Sequence, residues 1–376
     1  MANHRPAAFL QSQGISARRV LLALWVCSLV LSLAVPMLTR SPTADLSGLH
    51  TDHLRHAHAA WVFLHRGFDV YRLPFGEAVK GVPFAHPYPA WEHVPSANPV
   101  GTFLFFLPAA AIGQWVPMSD ATYARLGICL LVIVAHLALL AMGRALGKPG
   151  WAELLVLITA WLLLLRAALQ GFYDPAWLGC TAMALAALRS KRPAAALLWV
   201  CAAALLNYRA VVAAPLGALA AWELFQQARA SHQRPPWPLF AAAAVATLTV
   251  TTFVWVLPYA SAFSQMPPLL FSHDDAGIAV VLGLSIAVAA WCAYGADRLV
   301  VATVLVTCAL ALIDPRYWWH GSVLLVAPLA VGAYRPAPRP ALCWVALVAW
   351  VWLVQKTAWG GMPNSLFREL ASALQS

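Results

Sequence analysis

Carboxylate and histidine side chains are concentrated in one early stretch of the chain. Asp52 is prominent there, and His56 follows it by four residues, which is one turn of an α-helix. Paired carboxylates suit the transfer of a group to a hydroxyl, because one accepts the hydroxyl proton while the other orients the acceptor or holds a divalent cation. The candidate residues of this stretch are Asp45, Asp52, His56, Asp69, Tyr71, Tyr88, Glu92 and His93.

A further carboxylate, Asp174, stands in a short polar segment between two apolar stretches. The pair Asp174-Pro175 also suits the start of a helix, with the aspartate as N-cap and the proline as the first helical residue. The two roles are compatible. If this segment faces the same compartment as Asp52, we expect the two carboxylates to meet across one cleft.

Two arginines lie in similar positions between apolar stretches, Arg209 after Asn207-Tyr208 and Arg316 before an aromatic run. A charge at the edge of a membrane is costly unless it is paired or reaches the interface. Arginine suits a phosphate, because its planar fork donates two hydrogen bonds to two oxygens. Arg209 and Arg316 are therefore candidate phosphate ligands. A snorkelling anchor at Arg209 and an aromatic belt around Arg316 are the alternatives.

The segment from Asp52 to Ala60 has helical periodicity, with His53, His56 and Ala60 on one face. One interpretation is an amphipathic helix at the membrane surface whose histidines face water. That interpretation does not account for the following segment 67–71, which reads Gly-Phe-Asp-Val-Tyr.

Composition indicates the class of protein. The 376 residues are 62% hydrophobic and 10% charged, with a mean hydropathy of +0.72, whereas a soluble domain is about a quarter charged. A soluble enzyme and a disordered chain are therefore excluded. The net charge of +10 then reflects basic loops that orient a membrane protein, and we expect no nucleic-acid partner. All seven cysteines fall in apolar stretches, so no disulfide framework is expected.

Long apolar runs rich in leucine and alanine predict about eleven transmembrane helices, and a polar N-terminus precedes a retained first span. The predicted spans are 20–39, 124–143, 151–167, 175–189, 194–208, 210–226, 238–258, 276–293, 299–313, 321–333 and 341–354. A further run, 99–117, contains Pro108 in its middle, where an unbroken spanning helix is costly.

The distribution of basic residues decides whether 99–117 crosses the membrane. If it does not cross, 13 of the 24 basic residues lie in short cytoplasmic segments; if it does, ten of those 13 move outside. The positive-inside rule favours the first arrangement. We therefore expect 99–117 to lie along the outer surface or to enter the membrane and return. The 13 residues are Arg5, Arg18, Arg19, Arg144, Lys148, Arg189, Lys191, Arg192, Arg229, Arg234, Arg298, Arg335 and Arg339.

The predicted fold is an all-α polytopic membrane protein with one domain spanning 1–376. Residues 1–19 are cytoplasmic, 40–123 form a long external loop with interfacial helices, 124–354 form the helical bundle, and 355–376 are external. We expect a bacterial-type inner (plasma) membrane location, with the active site on the external, periplasmic face.

The order of these motifs resembles the GT-C superfamily of membrane glycosyltransferases, and within it the bacterial integral-membrane mannosyltransferases that depend on polyprenol-phosphate mannose. That group has an acidic residue leading a helix after the first span, a turn like Gly-x-Asp-x-Tyr, a proline-containing segment before a membrane-hugging helix, and a later acidic outer loop. The corresponding segments here are 52–60, 67–71, 86–89 with 98–101, and 171–174. The basic residue between the fifth and sixth spans corresponds to Arg209. No Asp-x-Asp or Glu-x-Asp pair follows the first span.

The resemblance implies an inverting hexosyl- or pentosyltransferase that moves a sugar from a polyprenyl-phosphate donor to a glycan, lipid or protein acceptor on the outer face. Asp52 is the predicted general base or acceptor-orienting carboxylate, with Asp45 as the alternative and Asp174 assisting. Arg209, matched by the resemblance, would bind the donor phosphate in contact with membrane lipids, and Arg316 is the further basic candidate for that phosphate. No cofactor is required, and whether Mg²⁺ or Mn²⁺ takes part stays open. The remaining candidates would bind substrate, namely His56, Asp69, Tyr71, Tyr88, Glu92 and His93.

Two other functions remain open on the sequence. A lipid or polyprenol transporter or flippase requires charged residues in the middle of spans and broken helices. His136 is the main polar residue inside a span, and a lone buried histidine is more often a packing residue with satisfied hydrogen bonds. A non-catalytic membrane protein would make the outer polar cluster incidental.

Overall fold

The structure is a computed structural model that describes residues 17–38, 51–80, 96, 99–116, 120–146, 171–207, 210, 213–232, 236, 237, 240, 241 and 244. Within 157–169 it describes all but 159, 160, 163 and 166. For 17, 18, 20, 21, 35–38, 51–55 and 120–124 it describes the backbone alone.

The described part of the chain is helical and shows no strand, as the sequence predicts, with Ala210 and Ala213 in 3-10 conformation. The helices are α1 (Ala17–Leu38), α2 (Thr51–Arg66), α3 (Asp69–Arg72), α4 (Phe75–Ala78), α5 (Val100–Trp115), α6 (Asp120–Leu146), α7 (Asp174–Arg189), α8 (Pro193–Leu206) and α9 (Ala214–Ala230). The described residues of 157–169, between α6 and α7, are helical too.

Five of the predicted spans coincide with observed helices. The bounds of α1, α6, α7, α8 and α9 lie within four residues of the predicted ones. The 151–167 span coincides in part with the helical residues between 157 and 169. The predicted spans 276–293, 299–313, 321–333 and 341–354 lie outside the described residues, as does most of 238–258.

Helix α7 is the centre of the described part of the bundle, and it packs on both α6 and α8. All of its residues from Asp174 to Leu188 are buried. Small side chains allow this close packing, and Gly179 lies so near the Val134 side chain that an added Cβ would collide with it. Glycine and alanine are typical of such contacts between membrane helices, because they let the backbones approach.

Helices α7 and α8 form an antiparallel hairpin with two chemically different ends. The turn end carries Arg189, Lys191 and Arg192, which are partly or fully exposed. At the open end the Tyr173 hydroxyl donates a hydrogen bond to the Leu206 carbonyl over 3.1 Å. One end of the hairpin is therefore strongly basic, and the other end carries the polar segments before α7 and after α8.

Helix α1 packs against α6 through a polar contact around His136, whose side chain is fully buried. The His136 Nδ1 lies 2.8 Å from the Val132 carbonyl and therefore carries the proton of the neutral ring. The other nitrogen, Nε2, is 2.8 Å from the Ser28 hydroxyl, which then donates to it. Trp25 donates through Nε1 to the His136 carbonyl over 2.7 Å. Both ring nitrogens have partners, which confirms the prediction of a satisfied packing histidine.

The surface of the described helices is markedly apolar. Leu22, Val26 and Val30 form an exposed stripe at four-residue spacing along α1, and Ile133 and Leu137 are exposed on α6. The segment Arg125–Leu146 is long and apolar enough to cross a membrane, and Leu22–Ala34, Val100–Trp115 and Pro193–Leu206 are shorter apolar helices. Outward apolar faces of this kind indicate association with a membrane.

The run at 99–117 forms the single helix α5, and Pro108 does not interrupt it. The proline ring costs one backbone hydrogen bond, but the residues around it are held by packing. Phe106, Ala109 and Ala110 are buried, and α5 packs mainly against α2. Because α2 and α5 form one layer, the external-loop helices of the prediction belong to the same packed body as α6, α7 and α8.

Candidate functional site

Helix α2 turns two of its histidines into the protein. His56 is 3% exposed and His58 is 1% exposed, whereas His65 is exposed at the end of the helix. The alternative of an interfacial helix whose histidines face water is therefore wrong for His56 and His58. The reason is that α2 packs against both α5 and α6, and all of its side chains from His56 to Ala60 are buried in a protein core.

His56 lies in an aromatic environment that links three elements. Its ring centroid is 4.9 Å from that of Tyr173, which precedes α7, in an edge-to-face arrangement. The His56 ring also stacks on Phe106 of α5 at 6.4 Å, and Phe106 contacts Tyr173 at 5.7 Å, so the three rings touch one another. The early polar helix and the polar segment before α7 are therefore in direct contact.

Asp174 is the first residue of α7 and is 8% exposed. The N-cap position belongs to Tyr173, whose backbone is already helical, so the prediction of Asp174 as N-cap is wrong by one residue. The carboxylate instead accepts a hydrogen bond of 2.9 Å from Trp177 Nε1, three residues further along the helix. A negative charge in the first turn is also stabilised by the helix dipole.

Two hydroxyl groups converge on the end of α8. The Thr102 hydroxyl donates to the Leu206 carbonyl over 2.6 Å, and the Tyr173 hydroxyl donates to the same oxygen over 3.1 Å. Burial raises the pKa of the Tyr173 phenol well above its usual value, so the hydroxyl keeps its proton and stays a donor. Asn207, the next residue, is extended and buried.

The segment 67–71 forms the turn after α2 and the start of α3. Gly67 has a φ of +59°, a conformation that ends the helix and that side chains disfavour. Tyr71 is 2% exposed and packs against Phe103 at 5.3 Å, so it is part of the core of this layer. Asp69 is half-buried at the start of α3. Arg66 fixes the loop by donating to the carbonyls of residues 78 and 80.

Asp52 belongs to the first turn of α2, and His56 follows it by one helical turn. That position places it on the same helix face as a residue that contacts Tyr173. The other predicted site residues lie outside the described residues, namely Asp45, Tyr88, Glu92, His93, Arg209 and Arg316. The site therefore unites one turn of α2 and the end of α8 through Tyr173, the residue directly before Asp174.

Sequence reasoning missed Thr102 and Trp177, which both make polar contacts here. The spacing of three between Asp174 and Trp177 was a usable signal, because such residues meet on one helix face. Thr102 gave no comparable signal, since its partner is a backbone carbonyl 104 residues away.

Asp174 is a buried carboxylate beside hydrogen-bond donors. A carboxylate in such a place can accept a proton from the hydroxyl group of a bound molecule. Among the described side chains, no group of three histidine, cysteine, aspartate or glutamate residues is placed to hold a metal ion. Comparison of the chain with protein families, with curated proteins and with solved structures gives no match.

Proposed function

We propose that the protein is a membrane glycosyltransferase that moves a sugar from a polyprenyl phosphate to an acceptor hydroxyl at the outer face of the membrane. The observation that carries this proposal is the convergence of three separate polar segments. The α2 turn that contains Asp52 and His56, the residue Asp174, and the end of α8 meet at one end of the bundle.

The position of this site in the hairpin agrees with the charge distribution. The opposite end of α7 and α8 carries Arg189, Lys191 and Arg192, which the positive-inside rule assigns to the cytoplasm. A site at the other end would then face outward, where nucleotide sugars are absent. A sugar carried on a lipid phosphate would reach such a site from within the bilayer.

The proposed reaction is a displacement at the anomeric carbon. The acceptor oxygen forms a bond to that carbon as the bond to the phosphate oxygen breaks, and the phosphate leaves with the electron pair. The hydroxyl proton passes to a carboxylate, with Asp52 as the base, Asp45 as the alternative and Asp174 assisting. Arg209, which the resemblance matches to the family's basic residue, would bind the departing phosphate, whose growing charge needs such a partner. Arg316 is the further candidate for this phosphate.

The test uses the full chain reconstituted in nanodiscs with radiolabelled polyprenyl-phosphate mannose and a cell-envelope glycan extract as acceptor. We expect label to move into glycan with release of polyprenyl phosphate. Asp52→Asn removes the charge of the proposed base, so transfer should fall by about 10²–10⁴. Asp174→Asn keeps the shape and the contact with Trp177 but removes the assisting charge, so transfer should fall by less.

Glu223→Gln provides the matched control, because Glu223 is a half-buried carboxylate of α9 remote from these contacts. Its transfer rate should equal that of the wild type. A folded wild-type protein that transfers no mannose, glucose or pentose from such donors would contradict the proposed function. Normal transfer by folded Asp174→Asn would remove Asp174 from the mechanism.

A further inference from the structure

The last carbonyl groups of a helix have no partner within the helix and need donors from elsewhere. At the end of α8 the Leu206 carbonyl receives two such donors from different parts of the chain. Thr102 donates from the first turn of α5 over 2.6 Å, and Tyr173 donates from the residue before α7 over 3.1 Å. Both donor side chains are buried, since Thr102 is 0% and Tyr173 is 4% exposed, and Leu206 is half-buried.

The backbones themselves are in contact at this point. Gly101 lies against the Leu205 carbonyl so closely that an added Cβ would overlap it. A flexible side chain could move away from such a contact, but a backbone carbonyl in a helix cannot do so without moving the helix. The start of α5 and the end of α8 therefore form a rigid junction, and the Tyr173 hydroxyl ties the start of α7 to it.

This junction fixes two features of the candidate site at once. Asp174 follows Tyr173 directly in the chain, and Asn207 follows Leu206 directly in an extended conformation. One carbonyl oxygen therefore sets the distance between the buried carboxylate and the point where the chain leaves α8. Reacting groups tolerate little displacement, since a shift of about 1 Å can lower a rate by roughly a hundredfold.

We propose that Thr102 and Tyr173 are positioning residues for the proposed transfer reaction, acting through the Leu206 carbonyl to hold Asp174 against the end of α8. Neither side chain takes part in the chemistry. Because the two hydroxyls share one acceptor, each partly replaces the other. Their effects on turnover are then strongly non-additive.

The experiment compares Thr102→Val, Tyr173→Phe and the double variant of the full chain in nanodiscs, with polyprenyl-phosphate mannose as donor. Each single variant should lower kcat by about threefold, and the double variant by roughly thirty- to a hundredfold, more than the product of the two. The donor KM should change by less than about twofold. Thr102→Ser restores the hydroxyl and should restore kcat.

Thr181→Val is the matched control, because the buried Thr181 hydroxyl donates over 2.9 Å to a carbonyl within α7 itself. This variant loses the same kind of hydroxyl-to-carbonyl hydrogen bond but leaves the junction at Leu206 unchanged. Its kcat should therefore stay at the wild-type value. A purely structural role for Thr102 and Tyr173 predicts lower melting temperatures in all variants with unchanged kcat, and that result would overturn the proposal.

Hydrogen exchange gives a readout that does not depend on activity. The double variant should exchange the amides of Ala176 and Asn207 at least tenfold faster than the wild type, whereas Thr181→Val should leave them unchanged. If hydrogen exchange is unchanged in the double variant, the proposed junction is wrong, whether or not the protein has transfer activity. Failure of the junction can therefore be distinguished from failure of the proposed function. If the double variant does not fold, the same comparison applies to Thr102→Val and Thr102→Ser.

Discussion

Asp174 shows how a single residue combines a structural and a chemical role. Its first-turn position stabilises α7 through the helix dipole, and its carboxylate is held by Trp177 at 2.9 Å. A carboxylate buried to this extent is costly unless donors surround it. Asp174 is buried next to Tyr173, which contacts both α2 and α8, and this position supports the proposal that Asp174 takes part in the reaction.

His136 is the contrasting case at the same scale. It is a buried ionisable residue with both nitrogens hydrogen-bonded, to Val132 and to Ser28. These hydrogen bonds explain the burial of His136, which serves as a polar contact between α1 and α6. A transporter that used this residue as a proton carrier would need it to exchange partners, and a fixed contact between two helices does not favour that role.

The raised pKa of Tyr173 gives a prediction about alkaline pH. Burial favours the protonated phenol, so the folded protein binds this proton at a pH where the unfolded chain has released it. The contribution of the Tyr173 hydroxyl is therefore complete below about pH 10 and declines as the pH rises further. The difference in melting temperature between the wild type and Tyr173→Phe should be constant from pH 6 to 9 and should shrink above pH 10. A difference that grows above pH 10 would show that the phenol ionises more easily in the fold.

At the scale of elements, the sequence predicts helices well and their contacts poorly. Continuous apolar runs placed α6 and α7 within a few residues, because that pattern depends on neighbours along the chain. The burial of His56 depends instead on α5 covering α2, which is a contact between distant segments. The assignment of 99–117 as a surface or re-entrant element rests on charge counting, and the structure adds that it packs as a helix on α2.

The turn between α7 and α8 stores strain that a substitution can release. Lys191 has a φ of 57°, a left-handed conformation that costs side chains about 1 kcal/mol and costs glycine little. The amides of Lys191 and Arg192 bond back to the carbonyls of Leu188 and Ala187, the usual end of a helix with glycine at this position.

Lys191→Gly should therefore raise the stability of the folded protein by about 0.5–1 kcal/mol, measured by thermal unfolding in detergent. Lys191→Ala is the control, since it removes the same charge but keeps the strained Cβ and should show no gain. Equal effects of the two substitutions would attribute the change to charge and not to backbone conformation.

At the scale of the whole molecule, the two ends of the α7–α8 hairpin define an orientation that the sequence proposed from charge alone. The turn between α7 and α8 and the junction at Leu206 lie at opposite ends of the hairpin. The hairpin is antiparallel, and the hydrogen bond from Tyr173 to Leu206 joins its open ends. Sequence could predict that polar segments before α7 and after α8 share a side. It could not predict that they touch, since that depends on close packing at Gly101 and Gly179.

Single cysteines in a cysteine-free background test this orientation. Ser190→Cys probes the basic turn and Lys80→Cys probes the loop after α4, and both positions are exposed. If the basic turn is cytoplasmic, a maleimide that does not cross membranes should label Lys80→Cys in intact spheroplasts and Ser190→Cys only after permeabilisation. Both variants carry one thiol on an exposed turn, so each is the control for reactivity of the other once the membrane is opened. Labelling of Ser190→Cys in intact cells would place the polar junction in the cytoplasm, where nucleotide sugars are available and a lipid-linked donor is no longer required.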